Sequence, residues 1–296
     1  MLNRLVVTIL NKEIFEVSLQ NRLNQKLNSL LKNKNIIEES ISYALSNPGK
    51  RVRPLLIYLV GDALNIPERK LDSIALASEI IHTYSLVHDD LPCMDDDDLR
   101  RGKPTLHKKY SESTAVLAGD AMQTLAIKII LEDENLSNEN KVKIASFLLH
   151  TIGHEGMILG QDQDIRFEEK LKVSKEEIIE MNRLKTGLLI EFCILAPILI
   201  SGAKNDDWQE MATSVGISFQ LIDDLLDLEE SEENLGKATN KDEQKNKKSA
   251  PIVVGVIETQ KEIKKYEDKT MESLVKLGLN SHPLADYLQD LYRRRK

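Results

Sequence analysis

The chain has 296 residues, 41% of them hydrophobic and 30% charged, a balance that suits a folded protein with a sizeable core. Its 48 acidic against 40 basic residues leave a net charge of −8, which argues against nucleic acid as a partner. Only 13 Gly and 8 Pro interrupt it and aromatics are 4%, so long helices and an all-α fold are expected.

In chain order, helical periodicity predicts elements over 11–33, 36–46, 52–64, 68–91, 112–133, 138–159, 174–201, 205–230, 249–268 and 282–294. The apolar run Leu5 to Leu10 is shorter than a signal-peptide core and no cleavage-like sequence follows it. A basic cluster, Lys50-Arg51-Val52-Arg53, ends at Pro54 and opens an apolar helix, a place where backbone N–H groups favour an anion. Residues 92–111 hold Pro92, Gly102 and Pro104 and are not one helix. The apolar stretch Gly187 to Ala203 carries Glu191 and Pro197 and falls short of the ~20 residues of a membrane span, so it reads as a core helix and no stable membrane insertion is expected. Residues 231–250 are polar and charged and read as a surface loop. Cys93 and Cys193 stand in no zinc or disulfide spacing, which suits reduced thiols and a cytoplasmic location. No repeat and no linker divides the chain, so residues 1–296 read as a single domain.

Two acidic clusters carry the chemistry. In Phe219-Gln220-Leu221-Ile222-Asp223-Asp224-Leu225-Leu226-Asp227, positions 220, 223, 224 and 227 share one helix face between apolar flanks. Most of that helix is expected to be buried, with three carboxylates pointing into an interior cavity, where they are costly unless paired or metal-bound. The alternative is pairing with Lys or Arg, or a merely solvated face. The second cluster lies upstream. Asp89-Asp90-Leu91-Pro92-Cys93-Met94-Asp95-Asp96-Asp97-Asp98 reads as an acidic loop or as ligands. Six residues separate Asp89 from Asp95, which places them on different faces of a straight helix, so the chain must bend at Pro92 if both serve one site. An EF-hand is excluded by the absence of its central Gly and closing Glu. Aspartate oxygens suit Mg²⁺, which is commonly held by a few carboxylates and substrate phosphates, and Arg100 and Arg101 immediately afterwards are phosphate-gripping donors.

With these motifs, and with Gly49-Lys-Arg-Val-Arg-Pro54, His82-Thr-Tyr-Ser-Leu-Val-His-Asp-Asp90, Ala118-Gly-Asp-Ala-Met-Gln123 and Lys185-Thr-Gly187, the sequence resembles the trans-isoprenyl diphosphate synthases over about residues 45–250, most closely the bacterial farnesyl diphosphate synthases. The resemblance implies a single large helical bundle around a deep central cavity, a homodimer, and small isoprenyl diphosphates as the molecules bound. It implies Asp89, Asp95 and Asp223 as metal ligands to three Mg²⁺ ions, with Mn²⁺ as a substitute. Asp90, Asp224 and Asp227 are implied as indirect partners. Arg100, Lys185, Thr186, Gln220 and Lys237 match positions that hold the allylic diphosphate, and Lys247 is a second loop lysine. Lys50, Arg53, His82 and Arg101 match those that bind isopentenyl diphosphate. The implied catalytic set is Asp89, Asp95, Lys185 and Asp223.

Tyr84, five residues before Asp89 and on the order of 7.5 Å down the axis, is expected to floor the prenyl pocket, with Ser85 leaving room beside it. The resemblance, through a first motif two residues longer with an aromatic at this place, implies farnesyl diphosphate as the product. Rival readings are a geranylgeranyl or geranyl diphosphate synthase, a non-catalytic regulatory subunit, and an acidic metal buffer. Gly160-Gln-Asp-Gln-Asp164 departs from the family pattern and leaves Gln161 and Asp164 without assigned roles.

Overall fold

Residues 2–47, 49–203, 206–235 and 248–294 are described by the computed structural model, and among them the chain is helical apart from one small hairpin. It divides into two compact units, Met1–Ala145 with Leu199–Ser201, and Ser146–Ile198 with Gly202–Lys296.

The first unit is built around α4 (Asp72–Asp89), which packs on α1 (Leu2–Leu30), α2 (Ile36–Leu45), α3 (Val52–Ala63) and α6 (Glu112–Leu131). The register of α1, α3 and α4 is set by one carboxylate. Asp72 accepts two bonds from the Arg22 guanidinium at 2.7 Å and one from the Tyr58 hydroxyl at 2.8 Å, with Lys26 at 3.1 Å. Asn35 caps α2 by accepting from the N–H groups of Ile37 and Glu38, and Ser111 caps α6 by accepting from Thr114. Ala115, Ala118 and Gly119 give α6 a buried stripe of small residues that allows close approach to α4. Between these helices come β1 (Leu99–Arg100), β2 (Lys103–Pro104) and α5 (Leu106–Lys109). The hairpin turns through Arg101 and Gly102, at φ +53° and +77°, a pair of positive angles that matches strand twist.

The second unit centres on α11 (Asp206–Leu235), which meets α9 (Lys175–Asn182), α12 (Ala250–Val254), α13 (Val256–Lys276) and α14 (Pro283–Tyr292). Its start includes the end of α7 (Asn138–Ile152), followed by α8 (Met157–Glu169). Between α9 and α10 (Leu188–Ser201) the chain makes one π-helical turn, Arg183–Gly187. Gly187 and Gly216 let that turn and α11 approach backbone to backbone: a Cβ on Gly216 would sit 2.7 Å from the Gly187 carbonyl oxygen. Tyr292 ties α14 down through Ser218 at 2.9 Å and Thr270 at 2.8 Å, and burial pushes its hydroxyl up to about 12.

Several boundaries differ from expectation. The first helix begins at Leu2, and 68–91 resolves into a 3₁₀ turn at Glu68–Lys70 and α4. The expected helix 138–159 breaks between Ile152 and Met157, where Gly153 and Gly156 interrupt it, and 249–268 breaks at Gly255, φ +87°. The expected loop 231–250 is helical to Leu235, because its Glu-rich start continues the last turns of α11. Glu112–Leu131 and Lys175–Ser201 are each long and apolar enough to cross a membrane; in the second, 61% of the apolar window is buried, as befits a core helix.

Gly216→Ala tests the close crossing. Alanine in a helix interior gains ~1 kcal/mol over glycine, but overlap with an immobile carbonyl costs on the order of 1–3 kcal/mol. A net loss of unfolding free energy in urea is expected; a gain would show that the two backbones have room.

Candidate active site

The first acidic motif sits where α4 ends. Helix α4 stops at Asp89, the chain coils through Pro92, and the N–H of Asp95 returns to the carbonyl of Asp89 at 2.8 Å. The bend required by the spacing is therefore present, and it brings the backbones of the two aspartates together. Asp90, 3% exposed, turns the other way: it accepts from the Arg100 guanidinium, whose Nε lies at 2.9 Å, while Asp97 accepts from the same group at 3.1 Å. Burial works against the Arg100 charge, yet the bonds to Asp90 hold its pKa above the ordinary value.

Beside this turn lies a cluster of cations. Arg51, at the N-cap of α3 with φ +51°, is buried and donates to Glu79 at 2.5 Å and to the Leu45 carbonyl at 2.8 Å. Arg53 is buried on the first turn of the same helix, and Lys50 is exposed just before it. Arg101 lies against Gly49, where a Cβ would stand 2.3 Å from its guanidinium nitrogen in its present position. Arg51, Arg100 and Arg101 line a cavity of about 40 Å³ with His82 and Asp90, enough for a few waters. Burial first, and then the charges of Arg53, Arg101, Arg51 and Arg100, push His82 well below the usual imidazole range, which favours the neutral ring. Tyr84, five residues before Asp89, is buried, with Ser85 partly buried beside it.

In the second unit the acidic stripe of α11 divides by depth. Asp227 is exposed, Asp223 is partly exposed with Arg294 at 3.9 Å, and Asp224 is buried. Asp224 accepts from the Asn182 amide at 3.1 Å, the Gln220 amide at 2.9 Å and the Ala250 N–H at 3.0 Å. Burial raises its pKa, and those three donors pull it partly back. Gln220 in turn accepts from the Thr186 hydroxyl at 2.7 Å. Thr186 and Lys185 project from the π-helical turn, a distortion common at functional sites because it re-aims side chains that a regular helix would turn away. Lys185 is ion-paired with Asp164 of α8 at 2.5 Å.

Lys185, Thr186 and Gln220 thus meet in one unit, and Asp89, Asp95, Arg100, Arg101, Arg53 and His82 gather in the other. Lys237 and Lys247 lie outside the described residues. Asp164, left without a role from the sequence, is the buried counter-charge of Lys185; 21 positions separate them, and no local pattern links them. Glu79 and Asn182 were not singled out, since a lone buried acid or amide has no periodic signature.

Among the described residues no three His, Cys, Asp or Glu side chains form a ready-made metal cage. Mg²⁺ seldom uses one, keeping waters and substrate oxygens around one or two carboxylates. The all-oxygen pair at Asp89 and Asp95, and the solvent-reachable Asp223, fit that ion.

The family model for polyprenyl synthetases matches residues 34–277. The chain belongs to the polyprenyl synthetase family. As such it is a prenyltransferase. This polyprenyl synthetase is similar to a farnesyl diphosphate synthase of Bacillus subtilis, 41% identical over 225 residues, 74% of this chain and 76% of that one. A chloroplastic geranylgeranyl pyrophosphate synthase of Catharanthus roseus is 37% identical over 242 residues, 80% of this chain and 68% of that one. Among solved structures, a geranyltransferase from Legionella pneumophila superposes with a TM-score of 0.85 at 32% identity, covering 97% of this chain and 99% of that one.

Two outcomes test the electrostatics of the cationic cluster. His82 stays neutral in the native polyprenyl synthetase, whereas the unfolded chain takes up its proton below about pH 6.5. Stability should therefore fall on acidification, by up to about 1.4 kcal/mol per pH unit from this group. Urea titrations at a series of pH values should show a shallower fall in His82→Gln. Arg51→Ala, which strands Glu79 in the interior, should cost about 3–5 kcal/mol, with Glu79→Gln in the same chain recovering part of the loss.

Proposed function

We propose that this polyprenyl synthetase joins dimethylallyl and then geranyl diphosphate to isopentenyl diphosphate, head to tail, giving farnesyl diphosphate and free diphosphate. The observation that carries the reading is the turn returning Asp95 to Asp89 beside four arginines and a neutral histidine. A diphosphate carries the charge to match those cations, and Mg²⁺ reconciles it with the carboxylates.

Lys50, Arg53, His82 and Arg101 bind the isopentenyl diphosphate. Uncharged, His82 is free to offer a hydrogen bond rather than add a further charge. Arg100, Lys185, Thr186, Gln220, Lys237 and Lys247 hold the allylic diphosphate. Lys185 exchanges Asp164 for a phosphate oxygen, while Asp224 keeps Gln220 and, through it, Thr186 in position. Asp89, Asp95 and Asp223 would hold the Mg²⁺, three ions in all with Mn²⁺ as a substitute, which when bound supplies positive charge for the leaving diphosphate. The allylic C–O bond breaks with its electron pair on diphosphate. The isopentenyl double bond supplies the pair for the new C–C bond, and the departing diphosphate takes the proton then released. Held donors stabilise the leaving charge without reorganisation, and fixed placement of the two substrates removes most of the entropic barrier.

Tyr84, with Ser85 beside it, ends the pocket at fifteen carbons. A geranylgeranyl product is the second reading, favoured by the likeness to the Catharanthus roseus protein. A purely regulatory subunit is disfavoured because the acidic and cationic sets are both present. Residues 1–296 are proposed to work as one domain, in the cytoplasm and as a homodimer. The dimer is supported by exposed Val116 and Leu117 on α6 and by an open apolar groove lined by Ile36, Ile37, Ile41 and Leu125.

Purified protein given dimethylallyl and isopentenyl diphosphates with Mg²⁺ should yield a fifteen-carbon diphosphate on chromatography, and EDTA should abolish it. Tyr84→Ala should lengthen the product. No condensation by the wild type would overturn the reading.

A further inference from the structure

Three contacts converge on His88, a residue with no part in the chemistry above. Its ring stands edge-on to Tyr84, one helical turn earlier, with centroids 5.8 Å apart and planes at 79°. Its Nε2 donates to the Val116 carbonyl of α6 at 3.2 Å. The ring occupies a niche that exists only because residue 119 lacks a side chain: a Cβ on Gly119 would fall 2.0 Å from Nε2 and 2.4 Å from Cδ2. The imidazole thus sits between a hydrogen bond on one side and a glycine backbone on the other.

Tyr84 has no comparable anchor of its own. The residue is 4% exposed, and its buried hydroxyl has no hydrogen-bond partner among the described residues. Buried tyrosines ordinarily fix themselves through that hydroxyl. Here the ring's orientation is left to packing, and among the described residues His88 supplies its aromatic contact.

We propose that His88, seated on Gly119 and Val116, fixes the Tyr84 ring and thereby sets where prenyl-chain growth stops. His88 is a positioning residue for product length, not a participant in bond formation, and its role rests on the reading of Tyr84 as the pocket floor. An edge-to-face pair biases a ring's orientation several-fold. Losing it should broaden the product distribution, whereas deleting the floor itself should shift it outright.

The experiment compares His88→Ala, His88→Leu and His88→Phe, alone and combined with Tyr84→Ala, by the ratio of twenty- to fifteen-carbon product and by the rate of the first condensation. The expected result is a ratio several-fold higher for His88→Ala and His88→Leu, with kcat and KM of the first condensation within about two-fold of wild type. His88→Phe, which keeps a ring beside Tyr84, should restore most of the fifteen-carbon selectivity. In the Tyr84→Ala background His88→Ala should change the ratio no further. Gly119→Ala should destabilise the wild type and be tolerated once residue 88 is alanine, where the niche is vacant. If Tyr84→Ala lengthens the product but His88→Ala and His88→Leu do not, the inference falls while the floor stands. Additive effects of the two substitutions overturn action through Tyr84. If Tyr84→Ala leaves the product unchanged, the floor reading and this inference fail together, and absence of any condensation by the wild type removes the proposed function beneath both.

Discussion

Carboxylates withdrawn from water have to be answered by cations or by N–H donors, because an uncompensated buried charge costs more than most single contacts return. The buried acids of the fold and of the site are answered separately. Asp72 takes Arg22, Lys26 and the Tyr58 hydroxyl, Glu79 takes Arg51, Asp90 takes Arg100, and Asp164 takes Lys185. Asp224 is answered instead by two side-chain amides and a backbone N–H. These pairings hold helix to helix, and they also decide which arginines and lysines are already oriented when an anionic substrate arrives.

Backbone exceptions then aim those side chains. Arg51 and Arg101 both adopt left-handed φ, an uncommon conformation for residues with a Cβ that persists where surrounding contacts enforce it. For Arg51 the enforcing contacts are Glu79 and the Leu45 carbonyl; for Arg101 they are the two-residue turn and the bare surface of Gly49. In the second unit the same work is done by the π-helical turn and the Gly187–Gly216 approach, which let the Thr186 hydroxyl reach Gln220.

Periodicity made much of this visible beforehand. The shared face of Gln220 and Asp224 appears as a direct i, i+4 hydrogen bond, and the bend demanded at Pro92 appears as the Asp95-to-Asp89 bond. Periodicity did not reveal depth: nothing in the spacing of Asp223, Asp224 and Asp227 says that the middle one alone is buried. It also joined α7 to α8, because the apolar pattern continues past Gly153 and Gly156 while the backbone does not. The Asp164–Lys185 and Arg51–Glu79 pairs lie 21 and 28 positions apart, and only the folded chain brings such partners together.

A π-helical turn amounts to one residue more than a regular helix needs. Removing Leu184 would let α9 run into α10 as ordinary helix, with the flanking helices keeping their faces while the side chains of the turn itself are re-aimed. Chain length in this stretch is thereby fixed independently of composition: a substitution there perturbs one side chain, whereas a single deletion carries Lys185 and Thr186 away from Asp164 and Gln220 together.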